Sequence, residues 1–187
     1  MLPGLNDPFG RLEARRTALL LELGALTPLQ LAFRPSPDAW SPTEVAHHLS
    51  LVDARTTRVL TERRVSGVTR RRARDVLVRA PLLRLYFAIG WRAKMPVKGV
   101  APDPTVPLER TAAQWAETRR TLAAYLDAMD EDACRAIVYR HPIAGFMDIV
   151  ETLHFLSRHH DHHLRQVARI RAAPGFPAMA RDAAGTA

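Results

Sequence analysis

Cysteine is nearly absent from this chain of 187 residues, in which Cys134 is the only one. A single thiol excludes an intramolecular disulfide and any metal site built from several cysteines. It also suits a reducing compartment, where disulfides are rare. Residues 1–11 lack the basic start and the unbroken apolar stretch of a signal peptide. We therefore expect a cytoplasmic protein.

The sequence also lacks an apolar run long enough to cross a bilayer. The most apolar stretch, residues 76–91, is shorter than the roughly 20 residues that a spanning helix needs. Arg79, Pro81 and Arg84 interrupt it. We therefore expect no membrane segment. The hydrophobic fraction of 47% still predicts a folded chain with a buried core, most simply in one domain.

Lysine is almost missing as well, since Lys94 and Lys98 are the only two among 27 basic residues. Arginine therefore carries nearly all the positive charge behind the net value of +8. So strong a preference is typical of a codon bias, and it weakens any inference from charge to nucleic acid. The densest basic run, residues 70–74, has no interleaved aromatics, and we interpret it as a solvated loop. A nucleic-acid partner is not expected.

Histidine, in contrast, is concentrated. Four of the eight histidines fall in residues 159–163, which read HHDHH, and two more are adjacent at His47 and His48. Neutral imidazole is the commonest protein ligand for transition metals. Residues four apart share one face of a helix, so His159 and His163 can point at one ion. A third ligand from the other histidine pair would complete a three-histidine metal site.

The apolar spacing predicts four long amphipathic helices. The most complete helix start has Ser41 as N-cap, Pro42 in the first helical position and Glu44 closing a capping box. The second helix should run from there to about residue 64. The other three helices are predicted over about 8–24, 107–129 and 145–172, the first with Asp7 as N-cap.

No stretch of the sequence shows sustained alternation of apolar and polar residues, so we predict no sheet. Residues 66–106 form a long connection between the second and third helices, in which a short helix over 76–92 is one interpretation. These patterns together predict an all-α protein, a four-helix bundle with a long crossover connection.

The helical periodicity also indicates which histidines face inward. His48 falls within the apolar stripe of the second helix, whereas His47 falls on a more polar side. On the last helix, the spacing leaves two ligand pairs open, His159 with His163 and His160 with His163. The choice between them cannot be made from spacing alone.

Three stretches of the sequence together resemble the DinB/YfiT-like superfamily. Residues 40–49, WSPTEVAHHL, resemble its W-S-x-x-E-x-x-x-H-L segment. Residues 159–166, HHDHHLRQ, resemble its H-x-x-x-H-x-x-Q motif, and residues 141–145, HPIAG, resemble the H-P-x-x-G that often precedes the last helix. The resemblance implies a four-helix bundle that holds a divalent metal ion. The ligands that it implies are His48, His159 and His163, and the ion could be zinc, nickel, iron or manganese.

The resemblance also implies a class of reaction. Relatives include transferases that use low-molecular-weight thiols, so we expect a metal-dependent transferase that adds such a thiol to an electrophilic small molecule. Two alternatives stay open: a metal-binding stress-response or structural module without turnover, and a metal-hydroxide hydrolase. We predict one DinB-like domain over residues 1–175 and a flexible tail over 176–187. A homodimer is also left open.

The other polar candidates are interpreted as lying outside the metal site. Three of the remaining histidines are expected at the surface: His47, His160 and His162. The other two, His141 and His154, are expected in structural or loop positions. Gln166 could reach the site, but packing against a neighbouring helix is slightly favoured. Cys134 is interpreted as a small buried residue, since nothing beside it in the sequence would activate its thiol.

Overall fold

A computed structural model of the protein describes residues 1–62, 99–141 and 145–178. This part of the chain contains six helices and two short strands. The helices are α1 (Pro3–Gly24), α2 (Pro28–Ala32), α3 (Pro42–Thr61), α4 (Leu108–Asp127), α5 (Glu131–Arg135) and α6 (Ile149–Arg171), and the strands are β1 (Tyr139–His141) and β2 (Gly145–Met147). The basic run at 70–74 and the helix considered over 76–92 lie outside the described residues.

The four long helices α1, α3, α4 and α6 pack together as a bundle. Helix α3 lies along α4, and α1 lies along α6, and these two pairs have the most extensive contacts. A smaller contact joins α3 to α6. The predicted four-helix bundle, with its long connection between the second and third long helices, is thereby confirmed. Among the helices that the structure describes, none has both the length and the hydropathy that a membrane span requires.

The apolar core of the bundle consists of two clusters. One is built from leucines of all four long helices with Met129 and Ile149, and the other centres on Trp115. Buried polar residues lie between the two clusters along the helices, for example Asp53 between Leu49 and Leu60 on α3. The bundle therefore has a polar layer across its middle.

Helix α3 begins where the sequence predicted. The Ser41 hydroxyl accepts a hydrogen bond from the Glu44 N–H at 3.3 Å, and the Glu44 carboxylate accepts one from the Ser41 N–H at 2.9 Å. Arg34 also pairs with Glu44 at 2.6 Å. This capping box fixes the start of the helix that carries His48.

The first helix starts earlier than predicted. It begins at Pro3 rather than at Pro8, which lies inside the helix, so Asp7 is not its N-cap. The physical reason is that Leu5 is fully buried with Leu12, two turns further along the same face. The burial of Leu5 stabilises the added turns by more than the loss of one backbone hydrogen bond at Pro8, close to the helix end, destabilises them.

The prediction of no sheet was wrong. Strands β1 and β2 pair antiparallel, with Tyr139 opposite Met147 and His141 opposite Gly145. Each strand has three residues, which is too short for an alternation of apolar and polar residues to be recognised. Tyr139 and His141 point into the protein, and Arg140 between them is exposed.

The hairpin also changes the start of the last helix. Strand β2 occupies residues predicted to be helical, and α6 begins at Ile149 instead of residue 145. Asp148 is its N-cap, and it forms a capping box with Glu151 through hydrogen bonds of 2.9 and 3.2 Å. This cap fixes the start of the helix that carries His159 and His163.

Residues 176 and 177 pack on α2 and on Phe33, the C-cap of that helix. The ring of Phe176 makes an edge-to-face contact with Phe33, with centroids 5.3 Å apart. The side-chain amide of Gln30 donates to the Pro177 carbonyl at 2.8 Å. Residues 179–187, most of the predicted flexible tail, lie outside the described residues, and the domain limit at 175 stays a prediction.

Removal of the cap hydroxyl of α3 should destabilise the protein without changing the site. We expect Ser41→Ala to lower the free energy of unfolding by about 1 kcal/mol, since the Glu44 N–H loses its partner. Denaturant melts at equal metal saturation measure this change. Ser36→Ala, at an exposed serine outside the helices, is the control. An unchanged midpoint in Ser41→Ala would contradict the stabilising role of the cap.

Candidate metal centre

Three histidines from two helices meet at one point of the bundle. His48 comes from α3, and His159 and His163 come from α6. One ring nitrogen from each lies within 4.8 Å of the other two. The Nε2 atom of His159 is 3.4 Å from that of His48 and 3.1 Å from that of His163. The structure thus brings together the three residues named as ligands from the sequence.

The outward ring nitrogens of two of these histidines are held by hydrogen bonds. The Nδ1 atom of His48 lies 2.7 Å from the Val100 carbonyl oxygen, and that of His163 lies 2.7 Å from Oε1 of Gln166. Both oxygens can only accept, so each Nδ1 carries the hydrogen and each Nε2 presents its lone pair to the cluster. Ligating histidines are usually supported in this way. The expectation that Gln166 serves packing was therefore wrong.

The surroundings keep the three imidazoles uncharged. Burial lowers the pKa of His48, although the hydrogen bond to Val100 opposes this effect. Burial and the neighbouring imidazoles hold the pKa values of His159 and His163 well below the ordinary value. All three rings are therefore neutral at neutral pH, which is the form that binds a metal ion.

The donor set fits a transition-metal ion. Ligand nitrogens at about 2.0–2.1 Å from a tetrahedral ion lie about 3.4 Å from one another. The separations of 3.1 and 3.4 Å between Nε2 atoms agree with that spacing. Neutral imidazole suits zinc, nickel or iron better than calcium or magnesium, which prefer oxygen ligands. The three histidines could hold one such ion.

Aromatic side chains restrain the rings of the cluster. The Trp40 ring lies 4.8 Å from the ring of His48 and 6.1 Å from that of His163, centroid to centroid. Phe155 stacks on His159 at 5.9 Å. His48 and His163 are buried, while His159 stays partly exposed. Of the three histidines, His159 is therefore the one whose side chain is partly accessible to solvent.

His160 points away from this cluster. Its Nε2 atom lies 3.1 Å from a carboxylate oxygen of Asp53, and the side chain is 1% exposed. Of the two pairs that spacing left open, the structure therefore brings His159 and His163 to His48. The predicted surface placement of His47, His160 and His162 was wrong, because all three are buried. Helix α6 contacts α1, α3, α5 and β2, so its buried arc is wider than one stripe.

Asp53 was missed by the sequence interpretation. Its carboxylate is completely buried and accepts hydrogen bonds from Trp115 Nε1 and Arg119, both at 2.5 Å. Burial raises the pKa of Asp53, but the charge of Arg119 and the hydrogen bonds from His160 and Trp115 outweigh that effect and lower it overall. The carboxylate is therefore ionised. The polar residues around Asp53 on α3 show no apolar periodicity that would mark it as buried. The only indication in the sequence is that Trp115 and Arg119, four residues apart, share one face of α4 and can contact the same partner.

The same network extends to the first helix. The Nε atom of Arg119 lies 2.8 Å from a carboxylate oxygen of Glu13 on α1. Asp53 on α3, Arg119 on α4 and His160 on α6 complete the set. The buried ionic network therefore joins all four long helices, and it reaches the residue next to His159.

The remaining histidines have different surroundings. His141 in β1 is buried against Phe155, with ring centroids 4.6 Å apart, and burial lowers its pKa to about 4. The ring of His162 meets that of His163 edge to face at 5.0 Å. His154 is exposed on α6.

A helical bundle with a candidate metal centre of three histidines is the class that the fold and the site define. The profile of the DinB superfamily matches residues 11–167, and the chain belongs to that superfamily. It is similar in fold to the protein in the "Crystal structure of TT2238, a four-helix bundle protein", with a TM-score of 0.58 and 24% sequence identity. That similarity covers 88% of this chain and 98% of the other. No curated protein matches the chain.

Neutral, buried His141 should make stability depend on pH. Its pKa of about 4 in the folded state lies below the ordinary value of 6.5, so the unfolded chain binds more protons between these values. The contribution of neutral His141 to the free energy of unfolding is therefore complete above pH 6.5 and is lost as the pH falls towards 4. Between pH 7 and 5, wild-type protein should lose about 2 kcal/mol more stability than His141→Phe. Urea melts at both pH values test this; equal losses would contradict it.

Proposed function

We propose that the protein is a metal-dependent enzyme that transfers a low-molecular-weight thiol to an electrophilic small molecule. The observation that carries the proposal is the convergence of three neutral imidazole nitrogens from α3 and α6, two of them with their tautomers fixed. Three protein ligands leave room for a further ligand, which is the arrangement of catalytic rather than closed structural sites.

Each part of the site has a distinct role in this proposal. His48, His159 and His163 would hold the ion, which when bound would act as a Lewis acid and lower the pKa of a thiol brought to it. The Val100 carbonyl and Gln166 orient two of the ligands. Trp40 and Phe155 pack against the rings of His48 and His159 and would limit the access of water to an ion held there.

The surroundings of Cys134 favour a thiol supplied by a second substrate. This thiol lies on α5 and is half-buried, and burial and the charge of Asp130 raise its pKa. A raised pKa makes it a poor nucleophile at neutral pH. Since it is also the only cysteine of the chain, a thiol that reacts at the centre would come from a small molecule.

Asp53 does not serve as a general base in the proposed reaction. Its carboxylate is completely buried and is occupied by Trp115, Arg119 and His160. A general base must lie within hydrogen-bond reach of the proton that it removes. Activation of the thiol would therefore depend mainly on the ion.

A metal-binding module without turnover is the second candidate. It is favoured by the burial of His48 and His163, which are 9% and 7% exposed. A centre that only stabilises the bundle needs no access for substrate. Turnover without any thiol would instead identify the protein as a metal-hydroxide hydrolase. A small-molecule substrate and a cytoplasmic location remain predictions.

Metal binding is the first test of the function. Protein purified without an affinity tag should bind about one divalent ion per chain. His48→Ala, His159→Ala and His163→Ala should each lower the affinity by more than about a hundredfold, since even the loss of an outer partner costs 10–100-fold. Chelator competition measures the affinity, and His154→Ala, at an exposed histidine of α6, is the control. The ligand assignment is wrong if His160→Ala abolishes binding and His159→Ala does not.

Thiol recognition is the second test. Cobalt-substituted protein should show a thiolate-to-metal charge-transfer band when the correct low-molecular-weight thiol is added, because a soft ligand can enter beside three imidazoles. His163→Ala should lose the band together with the metal. Cys134→Ser should keep it, since that thiol has no role here. A loaded centre with no spectral response to physiological thiols and no thiol-dependent turnover would favour the module without turnover.

A further inference from the structure

Two adjacent histidines of α3 hold one short segment, residues 99–105, which we name the strap. His48 donates from Nδ1 to the Val100 carbonyl oxygen at 2.7 Å. His47 accepts at its own Nδ1 from the Asp103 N–H at 3.0 Å. The His48–Val100 contact is buried, with the Val100 side chain 7% exposed. The His47–Asp103 contact is partly buried, since His47 is 6% exposed and Asp103 is exposed. The strap is therefore attached to α3 at two points three residues apart.

The strap is stiff by its own sequence. Gly99 has a φ of 84°, a conformation that favours glycine. Pro102 and Pro104 restrict the backbone on both sides of Asp103. The Asp103 carboxylate accepts from the Thr105 N–H at 2.8 Å and from its hydroxyl at 2.7 Å. Attachment of Asp103 to His47 therefore also determines where the Val100 carbonyl lies.

The position of the Val100 carbonyl matters for the tautomer of His48. With the acceptor in place, the hydrogen of the ring is on Nδ1, and Nε2 keeps the lone pair that faces the cluster. Without the acceptor, the hydrogen can move to Nε2 and block that lone pair. The hydrogen bond to Val100 thus favours the form of His48 that can bind an ion.

We propose that His47 is a positioning residue of the metal centre. By anchoring the strap, it keeps the Val100 carbonyl against His48 and so sets the tautomer of that ligand. Because coupling between two binding events is reciprocal, an ion at the centre would in turn stabilise the attached strap. The effect on metal affinity rests on the proposed function, whereas the effect on the tautomer does not.

A pair of substitutions at position 47 tests the proposal. His47→Asn keeps an acceptor, since its amide oxygen can take the place of Nδ1, and His47→Leu removes it. His154→Leu, at an exposed histidine of α6, is the matched control for loss of a histidine. Circular dichroism melts confirm that each variant is folded before it is compared.

The first measurement uses metal-free protein. The ¹⁵N chemical shifts of the imidazole should show the Nδ1–H tautomer of His48 in wild type, His47→Asn and His154→Leu. In His47→Leu, a mixture of tautomers is expected, with faster hydrogen exchange of the Asp103 amide. The same tautomer in His47→Leu as in wild type would overturn the positioning role.

The second measurement is zinc affinity by chelator competition. His47→Leu should bind zinc about tenfold more weakly than wild type, while His47→Asn stays within about threefold. Wild-type affinity in His47→Leu, or equal losses in both variants, would overturn the proposal and leave the metal function standing. If wild type binds none of zinc, nickel, iron or manganese but shows the expected tautomers, the metal function is refuted and only the effect of His47 on the tautomer of His48 stands.

A variant in the strap itself gives a test without changing any histidine. Gly99→Ala forces a side chain into a positive φ, although its Cβ would meet no atom within 4 Å. Gly24→Ala is the matched control, since its Cβ also meets no atom within 4 Å and its backbone is helical. Gly99→Ala should reproduce the mixed tautomers of His48, and Gly24→Ala should not. Identical imidazole ¹⁵N spectra for the two variants would contradict the proposal that the strap sets the tautomer of His48.

Discussion

An ionised carboxylate at the centre of the bundle constrains everything around it. Burial of Asp53 without partners would cost several kcal/mol, and that cost is offset only because Trp115, Arg119 and His160 all donate to it. Glu13 balances the remaining charge of Arg119 from α1. Loss of one partner would leave the buried carboxylate incompletely hydrogen-bonded, which is less favourable than the loss of an apolar contact. The helices are therefore held in one register, which leucine packing alone would specify less strictly.

The rotation of α6 is the most important consequence for the candidate site. His160 is committed to Asp53, and the next residue back along the helix is turned by about 100°. That turn brings His159 to the side where His48 lies, and His163, one turn further on, joins it. The polar layer and the metal centre thus share adjacent residues. A metal site that needs ligand positions accurate to fractions of an ångström is supported here by a rigid neighbouring network.

The parts of this structure that could be predicted were those that depend on local chemistry. The capping box at Ser41 and the spacing of His159 and His163 are properties of a single helix, and family resemblance connected them to His48. Asp53 could not be predicted in this way, because its partners lie 62 to 107 residues away along the chain. The same holds for His160, whose partner is on another helix. The hairpin at 139–147 was missed because three-residue strands leave almost no pattern. The hydrogen bond between Gln166 and His163 was missed because it depends on the rotamer of the Gln166 side chain, which the sequence does not specify.

The candidate metal centre lies between the two helix pairs of the bundle. His48 belongs to the pair formed by α3 and α4, and His159 and His163 belong to the pair formed by α1 and α6. An ion held by all three would be a cross-link between the halves, closing a loop of 111 residues in a chain whose single cysteine cannot form one. Occupancy of the centre would then be part of the folding free energy. Metal supply would govern the lifetime of the folded protein as well as its chemistry.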